Sequence, residues 1–242
     1  MIYVGTSGWV YGGWRRRFYP EGVAQRKWLH YYAERFDTVE LNATTYRLPK
    51  PSQVRLWCEN VPSDFRYTVK LSRLITHRRD LPPKLDEFIE NYMERAACFE
   101  RDKLAQILVQ FPPYLDRDDD RFIRFLDKLP SHHRYVVEFR NATWFVPEIE
   151  AVLRKRNIGF AIHDYPRLRV PKWVTSDEVA YVRFHGYTGL YVGSYPRGSL
   201  QWWARKLADL QTQSADVYAY FNNDVDAAAP HDATQLKRIL AT

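Results

Sequence analysis

Eight short runs of β-branched and aromatic residues, most of them followed by a stretch with helical spacing, constrain this chain more than any other feature of its sequence. The runs are IYVG at 2–5, TVELN at 38–42, FRYTVK at 65–70, AQILVQF at 105–111, RYVVEF at 134–139, GFAIHDY at 159–165, VAYVRFHG at 179–186 and DVYAYFNN at 216–223. Between them apolar residues recur at three and four positions, the stripe of an amphipathic helix. One stripe joins Trp28, Tyr31, Tyr32 and Phe36, and a second, opening at Pro51, carries Val54, Trp57 and Cys58. Others join Phe88, Tyr92, Ala96 and Cys98, then Phe122, Phe125, Leu126 and Leu129, then Ile149, Val152 and Leu153. Ser199 is the expected cap of a helix through Trp202, Trp203, Leu207 and Leu210, and Asp232 that of a last helix with Leu236 and Ile239. The segment PRLRVPKWVTSDE, with two prolines and no stripe, predicts a loop or one short turn.

Strands separated by helical crossovers pair in parallel, and eight of them close most simply into a (β/α)8 barrel. At 242 residues the chain has the usual size of one such barrel, and no shift in composition marks a boundary. The expected fold is therefore an α/β TIM barrel, one domain over 1–242, with an irregular or missing helix between strands six and seven. An open doubly wound sheet is the alternative.

Hydrophobic residues at 45% and charged residues at 27% suit a globular chain. The 8 Trp, 17 Tyr and 13 Phe exceed what packing alone needs and suggest a lined groove or interface. A formal charge of +7 favours anionic partners: a phosphorylated or otherwise anionic small molecule, a sugar-containing one, or nucleic acid. The basic clusters WRRRF, THRRDLPPK and LRKRN are short and read first as solvated surface. Cys58 and Cys98 lack CxxC spacing and are expected as buried thiols. The first residues, MIYVGTSGW, have no basic region followed by a long apolar run, and no segment is long enough to span a bilayer. A cytoplasmic protein with no membrane partner is the expectation.

In a barrel the site lies at the C-terminal strand ends, and the two-residue period of a strand decides which groups share a face. Glu40 and Asn42 share parity, as do Glu138 and Arg140, Arg183 and His185, and Tyr220 and Asn222. Lys70, Gln110 and either His163 or Asp164 complete the ring, and the first run leads into Thr6 and Ser7. One reading pairs these charges structurally, Glu40 with Lys70 and Glu138 with Arg183. The other makes the ring a pocket. Glu40 and Glu138 are then a candidate general acid and base, and Lys70, Arg140, Arg183 and His185 a positive wall for phosphate or carboxylate. His163, Asp164, His185 and Glu138 offer ligands for a divalent metal, the weaker alternative because no H-x-x-x-H or H-E-x-x-H spacing joins them. His77, His132, His133 and His231 read as loop or surface residues. In GTSGWVYGGWRRRFYPEG the glycines suit a backbone anion nest, while Trp9, Tyr11, Trp14 and Tyr19 form either a stacking wall or a small core that closes the barrel mouth.

VGTSGW, FYPEG, FDTVELNATTYRLP, KLSRLITH, QFPP, VEFRNATWF, VRFHG and YAYFNND occur in order across nearly the whole chain. Together they resemble the DUF72, or YecE-like, family of uncharacterised barrel proteins. The resemblance implies a TIM barrel and no established activity. It places family motifs on Gly5, Thr6, Ser7, Gly8 and Trp9, on Glu40, Asn42, Thr44 and Tyr46, and on Lys70, Gln110 and Pro112. Further matches are Glu138, Arg140 and Trp144, then Arg183, His185 and Gly186, then Asn222 and Asn223. Members vary around strand six, which weakens His163 and the metal reading with it. The fold is similar to that of abasic-site endonucleases and sugar isomerases, and a nucleic-acid role has been proposed for the family on such similarity. The expectations carried forward are a hydrolase acting on a phosphodiester or nucleic acid, a sugar-processing enzyme using the two glutamates, and a non-catalytic binder of nucleic acid or a metabolite.

Overall fold

A computed structural model describes residues 1–99 and 103–242, excepting the side chain of Tyr46. Eight strands, β1 (Ile2–Ser7), β2 (Thr38–Leu41), β3 (Arg66–Lys70), β4 (Leu104–Phe111), β5 (Tyr135–Phe139), β6 (Gly159–His163), β7 (Val179–Phe184) and β8 (Asp216–Phe221), pair in parallel and in sequence order into a closed barrel. Closure is made by β1 against β8, from Ile2 opposite Val217 to Thr6 opposite Phe221. The open doubly wound sheet is thereby excluded.

Around the barrel lie α1 (Trp28–Ala33), α2 (Ala43–Tyr46), α3 (Pro51–Glu59), α4 (Arg73–Thr76), α5 (Leu85–Ala96), α6 (Asp119–Leu126), α7 (Pro147–Lys155), α8 (Arg197–Gln211) and α9 (Ala228–Leu240). Between β6 and β7 the chain forms no helix, as its two prolines and missing stripe predict. Pro51 and Pro147 open α3 and α7, where a missing N–H leaves no hydrogen bond unmade. Asp118 caps α6, its carboxylate accepting from the Arg121 N–H at 2.9 Å.

Several helix boundaries differ from the expected ones. Phe36, Cys98 and Leu129 fall beyond the ends of α1, α5 and α6, although Phe36 remains fully buried. Ser199 does not cap α8, which opens at Arg197 behind Pro196. Nor does Asp232 cap α9: it lies inside that helix, four residues after the start. Proline at one boundary and the left-handed Ala227 at the other set these starts, overriding the capping preference of Ser and Asp.

Alternation sorts the strand residues into two cores. Val4, Val39, Val69, Val109, Val137, Val182 and Phe221 face the helices. Tyr3, Leu108, Val136, Ala161, Tyr181, Tyr218 and Tyr220 fill the barrel, with Tyr3 stacked on Tyr218 at 4.7 Å. β1 approaches β2 so closely that a Cβ at Gly5 would lie 2.2 Å from the Thr38 carbonyl oxygen, so only glycine fits there. No helix of the described residues is long and apolar enough to cross a membrane.

Candidate functional site

The inner residues of β1, β2, β5 and β7 meet at the upper end of the barrel in one buried ionic cluster. Arg183 is its centre, donating from Nη1 to Glu138 Oε2 at 2.5 Å and from Nη2 to Glu40 Oε1 at 2.6 Å. Glu40 also accepts from Ser7 Oγ at 2.5 Å and from the Tyr181 hydroxyl at 2.7 Å. Glu138 accepts in addition from Arg140 Nε at 2.6 Å. Burial would raise the Glu138 carboxyl, but the Arg183 and Arg140 guanidiniums overcome it and hold the group well below the usual carboxylate range. The expected Glu138–Arg183 pair is present. The expected Glu40–Lys70 pair is not, because Arg183 reaches across the barrel to Glu40 and the Lys70 ammonium donates to Gln110 Oε1 at 2.7 Å instead.

Above this cluster, at the C-terminal strand ends, opens a cavity of about 570 Å3. Its wall carries Asn42, Lys70, Gln110, Arg140, Arg183 and Asn222 from the strand ends, Arg73 from the start of α4, and Tyr11, His77, Pro112, Tyr114, Tyr191 and Asp224 from the loops above them. Burial and the neighbouring Arg183 lower the Lys70 amine to about 7. Burial pushes the Asp224 carboxyl up to about 7, against the pull of the Tyr11 hydroxyl and Arg183. Asn42 Oδ1 and Asp224 Oδ1 are buried without a hydrogen-bond partner. Arg140 donates from Nη1 to the Tyr191 hydroxyl at 3.2 Å and lies over the Tyr165 ring at 4.9 Å.

Other residues singled out by the sequence hold the rim together instead of lining the cavity. Thr6 faces outward, its Oγ1 donating to the Gly8 carbonyl at 2.6 Å and its N–H to the Tyr32 hydroxyl at 2.9 Å. Tyr220 lies deeper in the barrel, its hydroxyl bonded to Thr38 and Thr68. The Asp164 carboxylate accepts from the His185 N–H at 2.6 Å and from the Tyr195 hydroxyl. Asn223 donates to the Gly193 carbonyl at 2.9 Å and to Asp232 at 2.8 Å, and Asp232 also accepts from Ser194 and the Tyr195 N–H. The two amides of the NN pair thus separate: Asn222 faces the cavity and Asn223 ties the loop.

His185 adds no charge to the wall. Burial and Arg183 hold its pKa well below the ordinary value, so the ring is neutral. Asn222 lies 3.2 Å from its Nδ1, and its buried Nε2 lies 3.8 Å from Glu138 without a hydrogen bond. His163 bonds the Phe139 carbonyl through Nε2 at 3.0 Å. Among the described residues no three His, Cys, Asp or Glu side chains are grouped as metal ligands.

The Gly-rich loop forms the small closing core, not a stacking wall. Trp14 and Tyr19 are fully buried and Trp9 nearly so, with Tyr19 stacked on Trp28 at 4.3 Å. The Trp14 indole donates to the Asp224 carbonyl at 3.1 Å and so fixes that residue. One N–H of the expected anion nest is taken by the chain itself, Gly8 donating to the Glu40 carbonyl at 2.8 Å. Trp144 is likewise buried, stacked on Phe139 at 4.6 Å with its indole donating to the Leu115 carbonyl. The side chain of Tyr46 lies outside the described residues.

Asp224, Tyr191, Arg73 and His77 belong to the wall without having been marked as site residues, and Tyr11 lines it as the one aromatic of the Gly-rich stacking candidates to do so. Asp224 shares parity with Asn222, a signal available in the sequence. His77, expected as a loop or surface residue, lies in the turn after α4 and lines the cavity, where burial and Lys70 lower its pKa to about 4.

Residues 3–242 match the family model described as "Protein of unknown function DUF72". The chain belongs to the DUF72 family. It is 28% identical to the UPF0759 protein YunF of Bacillus subtilis, over 99% of this chain and 95% of that protein. It is 32% identical to the UPF0759 protein YecE of Escherichia coli K12, over 60% of this chain and 50% of that protein. Among solved structures, a DUF72 family protein from Thermotoga maritima superposes with a TM-score of 0.88 at 28% identity, covering 100% of both chains.

Proposed function

We propose that the barrel mouth of this DUF72 chain binds a small phosphate-bearing or carboxylate-bearing molecule. The observation that carries this reading is the composition of the cavity wall. Lys70, Arg73, Arg140 and Arg183 line one open cavity with a single acid among its described lining residues, Asp224, which burial pushes up to about 7. Charge-assisted hydrogen bonds from such groups are roughly twice as strong as neutral ones.

The geometry favours this over catalysis by the two glutamates. A general acid must carry a proton near neutrality, and Glu138 is held ionised by two guanidiniums. Glu40 has both oxygens occupied by Arg183, Ser7 and Tyr181. Sugar processing or phosphodiester hydrolysis through this pair would first have to break the ionic cluster that closes the barrel.

Calorimetric titration with inorganic phosphate and with a sugar phosphate tests it. Saturable binding is expected. Arg140→Met should weaken it about tenfold or more, the loss of one charged hydrogen bond of about 1.5–3 kcal/mol. Absence of saturable binding to either compound would sink the reading.

A further inference from the structure

We infer that the Lys70 amine is a nucleophile that forms an imine with the carbonyl carbon of a small anionic aldehyde or ketone held in the barrel-mouth cavity. This rests on the anion-binding reading above and adds to it a substrate class and a covalent step. Lys70 is the last residue of β3, on the inner face, where the strand fixes its backbone and its side chain lines the cavity. Its hydrogen-bond partner is a neutral amide, Gln110, at 2.7 Å. The nearby carboxylates are already engaged, Glu40 by Arg183 and Glu138 by Arg183 and Arg140, and Lys70 makes no salt bridge among the described residues.

A buried ammonium without a carboxylate and beside other cations is the arrangement that activates an amine. The charged groups around Lys70 are Arg183, Arg140, Glu138 and Glu40, with Arg73, His77 and Asp224 on the same wall. Burial, followed by Arg183, lowers the amine to about 7, so about half of it is neutral at neutral pH. An ordinary lysine, at about 10.4, is neutral there to only a few parts in ten thousand. Arg140 and Arg73 line the same cavity and stand where the anionic group would lie while the carbonyl meets the amine.

The chemistry is balanced without an oxidant or reductant. The nitrogen lone pair forms the C–N bond as the carbonyl π bond opens. The oxygen collects the two protons that leave nitrogen and departs as water, leaving a C=N bond. Asp224, which titrates at about 7 on the same wall, is suited to relaying those protons.

Pyridoxal 5′-phosphate, an aldehyde carrying a phosphate, is a direct probe. The full chain is incubated with it, reduced with borohydride and mapped by peptide mass spectrometry. Lys70 should be labelled at least about tenfold faster than any other lysine, with a rate that rises through about pH 7, and inorganic phosphate should protect it. Lys70→Arg should lose the label. Labels spread evenly over surface lysines, or an unlabelled Lys70 in protein that still binds phosphate, would overturn the imine and leave the anion reading standing. Labelling of Lys70 that phosphate does not slow, and that phosphate-free pyridoxal matches, would overturn the anion reading and leave the amine a nucleophile.

Discussion

Arg183 is 1% exposed and touches two carboxylates that are fully buried, so it has to be judged by what its removal leaves behind. A buried ion pair is a weak net stabiliser, but taking away one partner strands a buried charge at a cost of about 3–5 kcal/mol. Arg183→Met leaves Glu40 without a cation and Glu138 with Arg140 alone, and the expected loss lies in that range, measured by urea denaturation at pH 7. Removing Glu40, Glu138 and Arg183 together for apolar residues should cost less than removing Arg183 alone. The pH dependence carries a sign. In the wild type the folded Glu138 pKa is depressed, so its contribution is present above the ordinary value of about 4.3 and is lost as pH falls below it. In Arg183→Met, Glu138 loses its strongest counterion and keeps only Arg140, so its carboxyl moves up from that depressed position and less stability is left to lose as pH falls. The gap between the two proteins should therefore narrow as the pH drops below about 5, and a gap that widens would contradict the cluster. Strand parity put Glu40, Glu138 and Arg183 on one inner face, but parity says nothing of depth. Tyr220 and Asn222 share a face and differ by two residues, about 6.6 Å along the strand. That places one inside the barrel and the other on the cavity wall.

Between residue and barrel, the segment from β7 to α8 shows how an element presents a site. Gly186 has φ +122°, and a Cβ there would lie 2.2 Å from the Gly189 carbonyl oxygen and 2.6 Å from that of Val192. The sharp turn folds Tyr191 back so that its N–H reaches the His185 carbonyl and its hydroxyl meets Arg140. Gly186→Ala should cost about 1–3 kcal/mol in backbone strain and weaken phosphate binding by displacing Tyr191. Gly189→Ala is the control, since nothing lies within 4 Å of its Cβ. Thermal melts and phosphate titrations of the two variants check this, and equal behaviour would refute the role given to the turn. Strands and helices were legible because each announces itself by its own period. The helix starts at Arg197 and Ala228, the Asn223–Asp232 tie and the inward fold of Tyr191 were not, because they depend on contacts between segments far apart in sequence.

For the whole molecule the question is where the charge of +7 resides. Much of it is dispersed and locally matched: Arg16 with Glu21 at 2.6 Å, Arg17 with Asp226 at 2.7 Å, Arg154 with Glu150 at 2.7 Å, and Arg156 with Asp127. The short basic clusters of the sequence thus join solvated ion pairs, while Lys70, Arg73, Arg140 and Arg183 gather in the cavity. A face built for duplex nucleic acid would neutralise many phosphates at once, and binding would fall with salt at a slope of about −0.9 per phosphate contacted. A cavity wall with four cations, two of them already paired to glutamates, offers few such contacts. Binding of a short duplex, followed by fluorescence anisotropy across 50–200 mM salt, is expected to be weak with a log–log slope no steeper than about −3. Inorganic phosphate should compete for it, because both draw on the same cavity. A slope of about −6 or steeper, unaffected by Arg140→Met, would instead locate an extended nucleic-acid face outside the barrel mouth and separate that activity from the cavity altogether.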